Sequence, residues 1–202
     1  MSVSQGQSAR EQNAPGPNPR LYSIGYGSRT LDQFVAALQA HQIDCVIDVR
    51  SAPYSRFKPE FSKEALELVL SKRRMRYLFL GDLLGGQPKD PECYVNGKVD
   101  YARLQARPYF KAGLERLKAM AEQEGRKALM CSEGRPEQCH RAKLIGEALA
   151  ALGIAISHID EDGQLHSQME VIDRLTGGQL DLFGQNFTSR KRYMTGEEEG
   201  KE

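Results

Sequence analysis

A three-layer α/β sandwich with a mostly parallel, Rossmann-like sheet of about five strands is the fold this sequence predicts. Three observations carry the prediction. Short apolar runs alternate with helical patterns along the body of the chain, the order that gives a parallel sheet covered on both faces. The run from Ile43 to Val49 has the β-branched composition and length of a strand buried on both faces. Each polar cluster follows the carboxyl end of an expected strand, the rim where ligands bind in such sheets.

The elements follow in order. Leu21–Ile24 is a short strand running into Gly25-Tyr26-Gly27-Ser28. Thr30 then caps a helix, with Gln33 as the second half of a capping box and Leu31, Phe34, Val35 and Leu38 as its buried face. The second strand ends in Asp48-Val49-Arg50, followed by a turn that carries Ser55 and Arg56. Ser62 opens a helix bearing Leu66, Val69 and Leu70, and Arg76–Leu80 is the third strand. Residues 87–100 form a polar loop with proline and glycine, long enough for a lid or an ordered excursion. A helix follows from Pro108, with Phe110, Leu114, Leu117 and Ala121 on one stripe. Ala128–Cys131 is the fourth strand. After a turn with Gly134 and Pro136 comes a helix with Ile145, Ala148, Leu149 and Leu152 at i, i+3, i+4 and i+7, stopped by Gly153. Ile154–Ile159 is the fifth strand, and a last helix carries Met169, Ile172 and Leu175.

This gives one domain, residues 21–176, between a disordered tail (1–20) and a C-terminal tail (177–202). The N-terminal stretch is polar, with Pro15 and Pro17, and reads as neither a signal peptide nor a membrane anchor. A net charge of +1 argues against a global pull towards nucleic acid or a membrane. The basic runs at 72–76 and 189–192 read first as solvated surface, with a binding patch as the alternative. Four cysteines in 202 residues are too few for a disulfide scaffold, so the expected compartment is a reducing cytoplasm.

The richest chemistry lies between the fourth strand and its helix. There Cys131, Glu133, Cys139, His140 and Arg141 share one turn. Thiolates and anions are favoured at a helix N-terminus, so Cys139 or Cys131 is the candidate nucleophile, with Glu133 and His140 to move protons. Arg50, Ser55, Arg56 and Arg141 are candidates for holding an anionic substrate. The plainer alternatives are that the thiols pack as small apolar groups and Glu133 pairs with an arginine. A metal centre from Cys131, Cys139 and His140, with His158 as fourth ligand, matches no standard zinc spacing, and neither metal nor other cofactor is expected. A phosphatase loop is excluded, because the sixth residue after Cys131 is Glu137 and not arginine. Ile47-Asp48-Val49-Arg50 is similar to a rhodanese strand, which keeps sulfur transfer open. In the tail, Gln179-Leu180-Asp181-Leu182-Phe183 resembles the peptide by which bacterial replication and repair proteins grip the DNA sliding clamp. Leu182 and Phe183 would enter an apolar pocket while Gln179 bonds at its rim; alternatively Leu180, Leu182 and Phe183 patch the core.

Taken together, Ile24–Ser28, Asp48-Val49-Arg50 with Pro53, Ser55, Arg56 and Phe61, Leu84-Gly85-Gly86, Cys131-x-Glu133-x-x-Pro136-x-x-Cys139-His140-Arg141 and His158-Ile159 resemble a family named only as domain of unknown function number 488. The resemblance spans about residues 21–160. It implies an α/β body with a cysteine, histidine and arginine site, and no established reaction. Tyr26 stands where that family usually has histidine, so no catalytic role is carried over to it. The expected function is an enzyme acting on a nucleotide or nucleic acid in DNA maintenance. The alternatives are a non-catalytic nucleic-acid-binding module recruited to the sliding clamp, and a thiol-based sulfur-transfer or redox enzyme. No membrane partner is expected.

Overall fold

The computed structural model describes residues 19–178 and 186–193. In chain order the elements are β1 (Leu21–Gly25), α1 (Leu31–Ala40), β2 (Ile43–Asp48), α2 (Lys63–Lys72), β3 (Arg76–Phe79) and the single turn α3 (Gly81–Leu84). Next come β4 (Tyr94–Val95), β5 (Lys98–Val99), α4 (Tyr101–Gln105), α5 (Pro108–Glu122) and β6 (Arg126–Cys131). A wide π-type turn, Arg141–Gly146, leads into α6 (Glu147–Ala151), followed by β7 (Ile156–Ile159), β8 (Leu165–Ser167) and α7 (Gln168–Thr176).

The main sheet has the order β3-β2-β6-β1-β7-β8. The first five are parallel and β8 pairs antiparallel with β7. The sandwich is as expected, with one strand more than the five read from the sequence. Leu165–Ser167 is too short to register as a periodic segment, and two of its three residues reach solvent. Alternation along the strands splits the interior in two. Tyr22, Ile24, Val46, Ala128 and Met130 face α1 and α2 through Phe34, Val35, Leu38, Leu66 and Leu70. Leu21, Ile47, Leu129 and Ile156 face α5 and α6 through Phe110, Leu114, Leu117 and Leu149.

The order of strands explains which face each helix takes. From β1 through β2 to β3 the chain steps one way, with α1 and α2 on one face. From β6 to β7 it steps the other way, with α6 on the opposite face. Right-handed crossovers require that switch. Neighbouring strands β2 and β6 therefore send their chains to opposite sides of the sheet, which opens a crevice at their carboxyl ends.

Local signals hold well. Thr30 and Gln33 form the expected capping box, with Thr30 Oγ1 accepting from the Gln33 N–H at 3.2 Å and the Gln33 side chain accepting from the Thr30 N–H at 2.9 Å. The loop 87–100 is an ordered excursion, a 3-10 turn (Pro91–Cys93) followed by the β4–β5 hairpin, with Asn96 and Gly97 both at positive φ in its tip. In α7 the stripe differs from the expected one. Val171 and Ile172 are buried, whereas Met169 and Leu175 are exposed, because the helix starts at Gln168 and turns that side chain inward.

Residues 186–193, read from sequence as tail, lie against the β4–β5 hairpin. Asp100 and Thr188 form an antiparallel bridge. The Ser189 N–H donates to Val99 O at 2.9 Å and the Tyr193 N–H to Gly97 O at 2.6 Å. Phe187 and Tyr193 pack on the α5 side of the core. The N-terminal stretch 1–18 and the peptide Gln179–Phe183 fall outside the described residues. Among the described residues, no helix is long and apolar enough to cross a membrane.

Candidate active site

The crevice between the ends of β2 and β6 holds a cavity of about 180 Å³. Arg50 and Ser51 line it from the end of β2, and Cys131, Ser132 and Glu133 from the end of β6. His140 and Gln138 close one side, and Tyr26, Tyr54 and Tyr101 form further wall. Ser189, Arg190, Lys191 and Tyr193 of the returning segment complete it.

Arg50 is fixed before any ligand arrives. Asp48 closes β2 two residues ahead, and its carboxylate reaches the guanidinium. Arg50 Nε donates to Asp48 Oδ1 at 2.9 Å and Nη2 to Asp48 Oδ2 at 2.6 Å. Nη2 also donates to Phe61 O at 2.8 Å. Tyr77 of β3 donates its hydroxyl to Asp48 Oδ2 at 2.7 Å, and burial with that carboxylate pushes the Tyr77 pKa up. Arg50 is 5 % exposed, yet its Nη1 is buried with no hydrogen-bond partner.

Three lining groups, Cys131, Glu133 and His140, form one cluster with Cys139 just behind them. Cys131 Sγ lies 2.9 Å from Glu133 Oε2 and 3.7 Å from His140 Nδ1. Cys139 Sγ lies 3.4 Å from the same carboxylate oxygen and 3.6 Å from His140 Nδ1. The chain brings them together by ending β6 at Cys131 and making a 3-10 turn (Pro136–Gln138) that returns Cys139 to the strand end. Cys139 sits just ahead of the helical segment and acts as its cap, its Sγ accepting from the Arg141 N–H at 3.5 Å. Arg141 Nε adds a second contact to that sulfur at 3.3 Å. Burial disfavours a charged Cys139. The hydrogen bond from Cys131 and the positive charges of Arg141 and His140 outweigh it, holding this thiol well below its ordinary pKa. Cys131, hydrogen-bonded to Cys139 and buried, is pushed well above. All four cysteines are free and buried.

Arg141 and His158 lie beneath this cluster. Arg141 is fully buried and donates from Nη2 to Glu133 O at 2.6 Å and from Nη1 to Ser23 Oγ at 3.2 Å. Ser23 Oγ in turn meets His158 Nδ1 at 2.6 Å, and His158 Nε2 meets Gln168 Oε1 at 2.7 Å. An amide oxygen only accepts, so Nε2 carries the proton and Nδ1 accepts from Ser23. His158 is thereby committed to the support of Arg141 and stands outside the thiol cluster. Gly25 permits the close approach: a Cβ there would come within 1.7 Å of Glu133 O and 2.8 Å of Arg141 Nη2.

The expected site residues are thus placed as follows. Arg50, Cys131, Glu133 and His140 line the cavity, and Cys139 and Arg141 stand directly behind it. Ser55 accepts from the Tyr26 hydroxyl at 3.3 Å and donates its N–H to Ser62 Oγ at 3.2 Å, in the loop beside the cavity. Arg56 is exposed, stacked on Phe57, and is not among the lining residues. Arg190 and Lys191 were seen from sequence only as a basic run; the charge signal was there, but nothing local placed it at the mouth of this cavity. Asp48 was readable as the partner of Arg50 from opposite charges two residues apart at a strand end.

A family model described as "Domain of unknown function DUF488" matches residues 30–148. That span takes in Arg50, the whole Cys131–Arg141 turn and both strands that frame the crevice. No curated protein and no solved structure matches the chain.

Proposed function

The chain belongs to the DUF488 family, and we propose that it is an enzyme acting on the phosphate-bearing end of a nucleotide or nucleic acid. The observation that carries this reading is the charge balance of the cavity. Among the described residues, Glu133 is the single carboxylate lining the cavity, against the cations Arg50, Arg190 and Lys191. Arg50 lines the cavity and is held rigid by Asp48, a pre-positioned guanidinium of the kind that suits a phosphate oxygen. A volume of about 180 Å³ is below the roughly 300–1,000 Å³ of pockets that enclose a whole drug-sized ligand. The cavity therefore takes one group of a larger molecule, and the remainder lies along the exposed side chains of Tyr54, Arg56 and Phe57. A cavity that contains Glu133 favours chemistry over passive holding. Glu133 is the proton acceptor, beside Cys131 and His140.

The test is a comparison of short single-stranded oligonucleotides with and without a terminal phosphate. Phosphorylated ends should bind at least about tenfold more tightly, a difference of about 1.4 kcal/mol. Arg190→Ala with Lys191→Ala should erase most of that difference. Equal affinity for both kinds of end would remove the substrate assignment. Glu133→Gln should keep the binding and lose turnover.

The place in DNA maintenance rests on Gln179–Phe183 alone, as a recruiting peptide for the sliding clamp. Replacing Leu182 and Phe183 by alanine should abolish binding to a bacterial clamp and leave the melting temperature nearly unchanged. A large loss of stability, with no clamp affinity in the parent chain, would end that reading.

A further inference from the structure

We propose that Cys131, Glu133, Cys139 and His140 form a binding site for one thiophilic divalent metal ion, with zinc the best match. The inference goes beyond the substrate assignment and stands whether or not the cavity accepts phosphate, because it rests on four donor atoms and their surroundings.

The first observation is spacing. The two sulfurs, His140 Nδ1 and a Glu133 oxygen all lie within 4.8 Å of one another. Four ligands at ordinary zinc distances sit about 3.3–3.8 Å apart along the edges of a tetrahedron. The measured edges Cys131–His140 (3.7 Å), Cys139–His140 (3.6 Å) and Cys139–Glu133 (3.4 Å) fall close to that range. Of these four measured edges, Cys131–Glu133, at 2.9 Å, is the one that falls well short. Glu133 is also the one half-buried member, the other three being buried, so its carboxylate has room to back away.

The second observation is the outer shell. His140 Nε2 donates to Val49 O at 3.0 Å, since a carbonyl can only accept. This turns Nδ1 towards the sulfurs, the arrangement by which metal-binding imidazoles are oriented. Gly86 makes room for the ring: a Cβ there would stand 2.8 Å from His140 Cγ. Cys139 Sγ receives two N–H groups from Arg141, and Arg141 is itself held by Ser23 and the Glu133 carbonyl. Two thiolates and a carboxylate carry three negative charges. A divalent cation together with buried Arg141 balances them.

The donor set selects the ion. Two sulfurs, one nitrogen and one oxygen in a near-tetrahedral array suit zinc, and disfavour magnesium and calcium, which take oxygen ligands. Three buried ligands and a half-buried fourth follow the pattern of sites that exchange one ligand for substrate. The sequence spacing hid this because the fourth donor is Glu133, two residues from Cys131, and not the distant His158.

The experiment uses the full chain, reduced, stripped with a chelator, and titrated with Co²⁺ and then Zn²⁺. One equivalent of Co²⁺ should give the visible bands of a tetrahedral ion and a near-ultraviolet thiolate charge-transfer band. One equivalent of Zn²⁺ should abolish both. Cys131→Ser and Cys139→Ser should each weaken metal binding by more than the about 100-fold that changes to outer-shell partners reach, and Glu133→Gln should weaken it less. Cys45→Ser and Cys93→Ser, outside the cluster, should leave it unchanged. If Cys139→Ser does not fold, Cys131→Ser and Glu133→Gln decide alone. A chain that stays colourless with stoichiometric Co²⁺, or binds it equally well after either cluster cysteine is replaced, overturns the proposal. Oligonucleotide binding in stripped and loaded protein is read separately, so failure of either assignment leaves the other standing.

Discussion

At the scale of single residues, the site depends on buried polar groups whose partners are fully specified. Asp48 is fully buried and accepts from Arg50 and Tyr77. Tyr77→Phe removes one hydrogen bond to a charged group and should cost about 1.5–3 kcal/mol in urea unfolding. It leaves Arg50 paired, so any affinity for a phosphate end should fall less than with Arg50 itself changed. A stability change below about 0.5 kcal/mol would show that the Asp48 carboxylate needs only its arginine. His158 gives a pH prediction. Burial lowers its pKa to about 4, with the Arg141 charge adding to the effect and the Gln168 hydrogen bond opposing it. The unfolded imidazole titrates near 6.5. Above that value the ring is neutral in both states and its contribution is complete. As the pH falls the unfolded chain takes up a proton that the folded one refuses, so stability is lost between about pH 6.5 and 4. The full loss is about 3 kcal/mol. Asp160, whose pKa is lowered by the His166 hydrogen bond and backbone N–H groups against its burial, loses stability in the same direction on acidification. Urea midpoints at pH 7.5 and 4.5 for the parent chain and His158→Gln separate the two. The variant should lose less between those pH values, and parallel losses would show that His158 is not the titrating group.

At the scale of elements, look-alike sequence signals do different work. Ser167 and Glu170 form a capping box on α7, with Ser167 Oγ accepting from the Glu170 N–H at 3.2 Å and its N–H donating to Glu170 Oε2 at 2.6 Å. Ser62 precedes α2 in the same way, yet makes no side-chain cap there and accepts instead from the Ser55 N–H. Ser167→Ala should therefore cost about 1 kcal/mol of global stability. Ser62→Ala should act on the loop beside the cavity, raising amide exchange around Ser55 more than along α2. Equal exchange changes in both places would contradict that division. The turn after β6 owes its form to the same kind of specific contact. Arg141 holds the Glu133 carbonyl, Gly25 and Gly27 let the two turns meet, and the Gly27 N–H donates to Ser132 O at 2.9 Å.

At the scale of the molecule, the cavity joins segments far apart in the chain. The wall carrying Arg190 and Lys191 depends on Phe187 and Tyr193, which are partly buried against the core. Replacing both by alanine should cost about 1–3 kcal/mol each, less than the roughly 3–5 of a fully buried aromatic. It should weaken the binding of phosphorylated ends in step. A variant that loses stability but keeps full affinity would show that the basic segment acts without being docked.

The sequence by itself determined most of the framework. Five parallel strands, the α1 cap and the stop at Gly153 all follow from periodicity and local hydrogen-bonding rules that neighbouring residues satisfy among themselves. It also pointed to the Cys131–Arg141 turn, because unusual side chains were concentrated at one strand end. What it could not determine was everything that depends on which strands are neighbours. The β2–β6 crevice exists because β6 inserts between β2 and β1, a long-range pairing that no local pattern encodes. That pairing brings Arg50 opposite Glu133 and leaves Arg56 outside. It also sends His158 to Ser23 and Gln168 instead of to the thiols. β8 escaped because three residues carry too little periodicity to be seen, and the docking of 186–193 because its hydrogen bonds go to a hairpin about ninety positions earlier. Local chemistry chose the groups; the order of strands in the sheet decided which of them meet.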